Sequence, residues 1–300
     1  MSGFVKHIMQ QSGRRNGSLI RSAIVLCCAL LFFHYDALMA QVISNNGAKI
    51  SISSGTVVVT DSIKNSSGTT NNDGILIANT AINADSLKGA GKYSIAGSLT
   101  NTGTFVAGDS ISIGGDWTNN GGTFNAGSSI VTLNGTSSQS IGGSTSTTFN
   151  NLTFANATDT TAANYKIAAV NFSVTGTLTI NSGNTLDMGS NTITSLGTGA
   201  NSGKIRWAGS NVFVSGTGMT EFYGNSSTAV APGTTYGNLF FIGTGTMTIS
   251  GVVTATGGNS SFGVTVSNNL TVSGTGSLTV TGMELNVNGP ISNSGIITVE

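Results

Sequence analysis

Apolar residues alternate with Ser and Thr along most of this chain, and no stretch of useful length repeats them at a helical spacing. In Phe172-Ser-Val174-Thr-Gly176-Thr-Leu178-Thr-Ile180 every second position is apolar or glycine. The same alternation marks Leu186/Met188, Ile205/Trp207, Val212/Val214, Met247/Ile249, Val264/Val266, Leu270/Val272 and Leu278/Val280. A period of two, with Thr and Ser on the other face, is the pattern of a half-buried strand. The chain is therefore expected to be all-β, with no helix beyond its N-terminal leader.

The strands come in copies. Leu99-Thr-Asn101-Thr-Gly103-Thr-Phe105 is followed by Trp117-Thr-Asn119-Asn-Gly-Gly-Thr-Phe124, Ala107-Gly108 by Ala126-Gly127, and Ile111 by Ile130, at offsets of 18 to 19 residues. A unit so short is no domain, but it suits one turn of a solenoid, in which each turn needs only its neighbours. Ile63-Lys-Asn65-Ser-Ser-Gly68 and Ile291-Ser-Asn293-Ser-Gly295 repeat the order apolar, polar, Asn, Gly. These read as corners, because Asn and Gly accept left-handed backbone. A longer echo relates Leu133-Asn-Gly135 to Phe222-Tyr-Gly224, and Phe149-Asn-Asn151-Leu152 to Tyr236-Gly-Asn238-Leu239, at separations of 89 and 87 residues. That spacing fits four turns of roughly 22 residues. Pro232 and Pro290, the two prolines, each neighbour a glycine at an expected corner. A strand paired on both edges has no place for a residue without an N–H. Flexible Gly/Ser linkers would lack the strict alternation.

These patterns predict a right-handed parallel β-helix, a β-solenoid, of about ten to twelve turns and roughly 50–60 Å at the usual strand spacing. Residues 41–96 carry looser repeats and read as an irregular N-terminal section or cap. Residues 97–300 carry the regular ones. The chain stops inside a strand, at Ile296-Ile-Thr-Val-Glu300, so a longer parent protein is expected.

Residues 1–40 read as a secretory signal. Lys6, Arg14, Arg15 and Arg21 precede the apolar run Ala23–Phe33, which at 11 residues is too short to span a bilayer, and Leu38-Met39-Ala40 offers a cleavage site before Gln41. Met9 is an alternative start to Met1, and Leu26 before Cys27 does not suit a lipoprotein site. Removing the leader removes both cysteines (Cys27, Cys28) and both histidines (His7, His34). What is left has no transmembrane segment and no disulfide, so packing and strand hydrogen bonds must stabilise it.

Charge narrows the partners. Charged residues are 7% of the chain and its formal net charge is zero; from Gln41 onward seven Lys and Arg face ten Asp and Glu. No nucleic acid is expected, because phosphate contacts need clustered cations. Without His or Cys, nucleophile–imidazole sites and zinc centres are ruled out for the exported chain. The calcium nonapeptide is missing too, and Gly114-Gly115-Asp116 resembles it only in part. The acids Asp61, Asp73, Asp85, Asp109, Asp116, Asp159, Asp187, Glu221, Glu284 and Glu300 are scattered, with Asp109 and Asp116 the pair that a corner would bring closest. Arg206 is the lone arginine after the leader and should point outward beside inward Ile205 and Trp207. No catalytic, cofactor-binding or metal residue is assigned.

Aromatic residues raise sugar stacking. Trp117, Phe124, Phe149, Phe154, Tyr165, Trp207, Tyr223 and Tyr236 are candidates; Trp117 occupies the place of Leu99 in the next copy and should fill core, whereas Tyr223 and Tyr236 flank the Pro232 corner and are the better surface candidates. Thr177/Thr179, Thr192/Thr194, Thr246/Thr248 and Thr279/Thr281 would bind ice or mineral only if three such pairs shared one flat face.

DWTNNGGTFNAGSSIVTLNGTSSQSI, TTFNNLTF, VTGTLTINSGNTLDMGSNTI and TYGNLFFIGTGTMTISG resemble the β-strand-repeat surface proteins of bacteria that export large adhesins by the type IX secretion pathway. They are more distantly similar to filamentous-haemagglutinin and autotransporter passenger domains. The resemblance covers 97–300 and implies a solenoid displayed or shed outside the cell. Such proteins usually end in a sorting domain, and the sequence here shows none. The expectation is a non-enzymatic secreted or cell-surface structural or adhesin segment, contacting surface glycans, matrix or other cells. The alternative is a polysaccharide-acting or glycan-binding parallel β-helix, which would need carboxylates converging in one groove.

Overall fold

The computed structural model describes residues 41–155, 165–208, 218–223, 228–230, 234–236, 238–241, 246–249, 252–255, 264–266, 269–272, 277–280, 285–287 and 289–300. The expected leader over 1–40, Val212/Val214, Pro232, Asp159 and Glu284 lie outside them. Residues 42–300 form one compact unit. It is an all-β parallel solenoid of about ten turns, with no helix among the described residues.

Each turn has three sides. On the first, Ala81, Leu99 and Trp117 stack in turn, and the parallel register continues through Ile141 and Ala168. On the second, Leu87 pairs with Phe105 and Phe105 with Phe124. On the third, Tyr93, Ile111, Val131 and Leu152 follow one another. Alternation within each strand turns one set of side chains inward, so the solenoid encloses one continuous apolar interior. Aromatic residues supply much of its bulk. Trp117 meets Phe124 edge-on at 4.7 Å and Phe149 at 5.2 Å, and Phe105 meets Tyr93 at 5.2 Å. The Trp117 indole N–H donates to Thr147 Oγ1 at 3.0 Å, which satisfies its polar end inside the core.

The corner asparagines are buried. Asn45, Asn65, Asn83 and Asn101 are each donated onto the next: Nδ2 to Oδ1 distances are 2.9 Å for Asn45–Asn65, 2.9 Å for Asn65–Asn83, 2.8 Å for Asn83–Asn101 and 3.3 Å for Asn101–Asn119. The second amide hydrogen goes to the following side of the next coil, to Ser86 O from Asn65 and to Thr104 O from Asn83, both at 2.9 Å. These residues are selected for amides that satisfy one another away from water, and the left-handed backbone falls on glycine instead. Gly68 has φ +83°, and a Cβ there would stand 2.3 Å from Ala48 O. Gly143, at φ +113°, would bring a Cβ to 2.1 Å from Asn119 O.

Three sequence expectations need correction. Ile111 pairs with Val131 and not with Ile130; Ile130 sits opposite Ser110 and is 46% exposed. The corner between Asn125 and Ile130 is one residue longer than its predecessor, and a one-residue slip exchanges the faces of a strand. The 87-residue echo does not span whole turns. Leu152 lies on the third side, whereas Leu239 lies on the first, opposite Thr220. Four turns and one further side separate them, because all three sides share one strand pattern. Asn293 matches the corner order but lies on the second side, where Val272 pairs with it, and it is exposed. Pro290 falls between strands as expected.

Replacing Asn83 by Ala strands the Asn65 donor and the Asn101 acceptor. It should lower unfolding free energy in urea by roughly 2–4 kcal/mol, while Asn71→Ala, which removes one half-buried amide bonded only to the solvent-side Asp73 carboxylate, should change it by under about 1 kcal/mol.

Candidate functional site

Four aspartates brace neighbouring coils. Asp85 accepts the Gly68 N–H at 2.6 Å, Asp73 the Ala90 N–H at 3.0 Å and Asp61 the Asn79 amide at 2.7 Å. Asp116 accepts the Ser140 N–H at 2.7 Å, and Asp109 faces Lys92 at 3.2 Å with both side chains 58% exposed. Asp109 and Asp116 thus serve separate partners. Among the described residues no three His, Cys, Asp or Glu side chains converge as a metal ion would require.

One outward patch is different. On the first side Asp187, Arg206 and Glu221 occupy successive rungs of the ladder, flanked inside by Leu186, Ile205 and Trp207. Arg206 points outward, as alternation predicts. Its Nη1 lies 3.6 Å from Asp187 Oδ2 and its Nε 2.9 Å from Glu221 Oε1. The second contact is ionic and not a hydrogen bond, because Nε has no partner in line with its N–H. Lys204 forms an ion pair with the other Glu221 oxygen. Four charges therefore neutralise one another at side-chain exposures of 18% for Arg206, 20% for Asp187, 25% for Lys204 and 8% for Glu221.

Two tyrosines complete the patch. The guanidinium carbon stands 4.1 Å over the Tyr223 ring and 5.4 Å from the Tyr165 ring centre. Tyr223 donates its hydroxyl to Asp187 Oδ1 at 2.8 Å, and that oxygen also accepts the Gly189 N–H at 2.9 Å. Burial, then the Asp187 carboxylate as acceptor and neighbouring charge, push the Tyr223 hydroxyl up to about 12. The phenol therefore stays a donor throughout the neutral range.

Compared with known proteins, this chain matches no family model, no curated protein and no solved structure. Its functional reading rests on its own residues.

The aromatic expectations divide. Trp117, Phe149, Phe154 and Trp207 are buried core, Phe124 packs against that core, and Tyr165 is half-buried beside Arg206. Tyr223 is the surface candidate that joins a cluster, while the Tyr236 side chain lies outside the described residues. Among the described residues no three of the Thr-x-Thr pairs share one side. Thr177/Thr179 sit on the third side against Thr198 and Ala200, Thr246/Thr248 on the second against Asn269 and Thr271, and Thr192/Thr194 flank Ile193, which pairs with Phe172 on the second. Thr279 is on the third side, and Thr281 lies outside the described residues.

Sequence reasoning treated Asp187 and Glu221 as scattered, because they stand 19 and 15 residues from Arg206. Those separations are single turns of the solenoid, which was the available signal. It also passed over Lys166. Alternation beside Ile167 suggests an outward lysine, yet Lys166 is fully buried and Ile167 is 40% exposed. The Lys166 ammonium reaches Gly135 O at 2.6 Å, Gln139 Oε1 at 2.5 Å and Ser137 O at 3.4 Å, a cage of three neutral acceptors for three donors. Burial without a counter-ion lowers its pKa from 10.5 to about 8.

Because the folded value is depressed, the ammonium burial opposes folding fully below pH 8, and that opposition fades as pH rises toward 10.5. The wild type should gain stability over Lys166→Met by about 1.4 kcal/mol per pH unit across that window, with no such slope below it. Paired urea titrations at stepped pH measure the difference.

Proposed function

We infer that this chain is a non-enzymatic structural segment, secreted or displayed on a cell surface, whose solenoid meets surface glycans, matrix or other cells. The observation that carries this reading is where the carboxylates go. Asp61, Asp73, Asp85 and Asp116 are spent tying one coil to the next, and so are not gathered at a reaction centre. The leader-like residues 1–40 and the resemblance to exported β-strand-repeat adhesins support export. Absence of thiols and imidazoles after Gln41 suits a scaffold held by ladders and packing.

A scaffold built by nearest-neighbour stacking should tolerate loss of one whole coil. Deleting 81–98 places Leu99 where Ala81 stood over Ile63, and Asn101 where Asn83 stood over Asn65. The shortened chain should keep a β-type circular dichroism spectrum and cooperative melting, with a length in solution smaller by about 4.8 Å. Deleting the 87-residue block 153–239 would bring different sides into line and should unfold. Loss of structure in the 18-residue deletion would remove the support for a modular rod.

The second reading, a polysaccharide-acting β-helix, is favoured by Asp187 and Glu221 flanking Arg206 on one face. It requires turnover of a neutral or acidic polysaccharide that disappears in Asp187→Asn or Glu221→Gln. A reducing-sugar assay across such a panel separates the two readings.

A further inference from the structure

The geometry points to a saccharide-binding subsite on the outward first side, built by Tyr165, Tyr223, Asp187, Lys204, Arg206 and Glu221, whose ligand is a neutral sugar presenting vicinal hydroxyls. This rests on the reading of the chain as a glycan-contacting scaffold and names the place and the chemistry of contact.

The patch departs from the rest of the surface. Outward positions elsewhere on the ladders are filled mostly by hydroxyls and amides, such as Ser94, Ser112, Thr132 and Thr153 in line on the third side. Here four charged side chains and two tyrosines adjoin in a chain only 7% charged. Stability does not require this. Hydroxyl ladders hold the other coils together at the same outward positions.

The ligand class follows from charge and unused bonding capacity. Two carboxylates and two cations balance, so an anion entering here meets Asp187 and Glu221, and a cation meets Lys204 and Arg206. A hydroxyl group faces neither penalty, because it donates to a carboxylate while accepting from a guanidinium. Arg206 Nη1 is beyond hydrogen-bond distance from Asp187 and has donors to give, whereas Nε is enclosed beside Glu221. Its five N–H groups lie in one plane, and two of them match a pair of adjacent hydroxyl oxygens. Asp187 Oδ2 offers an acceptor on the neighbouring rung, while the buried Glu221 carboxylate holds Arg206 and Lys204 in place from the other side. The half-buried rings of Tyr165 and Tyr223 give apolar area for the C–H face of a pyranose, with little side-chain entropy to lose. Tyr223 is held by its bond to Asp187, so the ring is set before a ligand arrives.

Affinity electrophoresis of the full chain in gels containing laminarin, galactomannan or hydroxyethylcellulose tests the assignment, with polygalacturonate as the acidic comparison. At least one neutral polymer should retard the wild type. Tyr165→Ala and Tyr223→Ala should each weaken that retardation by about tenfold, the loss expected for one aromatic contact. Arg206→Gln should weaken it at least as much, and Tyr223→Phe, which keeps the ring, less than Tyr223→Ala. Thermal melts of each variant separate lost binding from lost folding, and Tyr165→Ala carries the test if Arg206→Gln does not fold. Retardation by no neutral polymer, equal retardation of wild type and tyrosine variants, or preference for polygalacturonate would overturn the subsite. The 81–98 deletion retains all six residues, so failure of the scaffold reading registers there and failure of the subsite in the gels.

Discussion

A buried amide is tolerated only if its donor and its acceptor both find partners, and in this solenoid the partner is the same residue one coil away. From Asn45 to Asn119 each side chain accepts from the coil before or donates to the coil after, and the main chain also accepts from Asn65, Asn83 and Asn101. An asparagine out of line by one position would leave two neighbours unpaired in an apolar interior. This column therefore fixes register more sharply than the aliphatic columns beside it, where Ala81, Leu99 and Trp117 succeed one another with different volumes. Bulk is exchanged across the interior: the small Ala81 rung is followed by Leu99, and Trp117 is accommodated by edge-on contact with Phe124 and Phe149.

The fold was legible because its signal is local. Alternation over Phe172–Ile180 and the matched runs at Leu99 and Trp117 each state a rule of strand and stacking that the structure obeys. What escaped is carried by corner length. One additional residue before Ile130 reversed its face, and an echo of 87 residues landed one side away, since nothing in a Val-Thr-Leu run says which of three sides it belongs to. The asparagines were recognised as corner residues for their backbone tolerance, whereas their side chains explain their selection.

The charged patch was half legible. Alternation placed Arg206 outside, between inward Ile205 and Trp207, and the structure agrees. Its partners were invisible without the coil lengths, because the turn from Arg206 to Glu221 is only 15 residues, shorter than the repeat that the clear copies display. Lys166 shows the opposite failure. A lone cation in a strand reads as outward by default, yet main-chain oxygens at a corner can cage an ammonium when a glutamine beside it completes the set.

The asparagine column ends at Asn119. Gly142 lies opposite Thr118, so Gly143 comes next below Asn119 and has no amide to pass on. Beyond that point different side chains bridge successive coils: Lys166 reaches Gly135 and Gln139, Asn191 donates to Ala168 O, and Arg206 lies between Asp187 and Glu221, while Trp207 stacks on Phe222 at 6.0 Å with its indole nitrogen buried without a partner. The molecule is thus a zipper with unequal teeth. Up to Asn119 each junction carries the same amide brace, whereas past it every junction has its own, so the coils part at different loads under tension or heat.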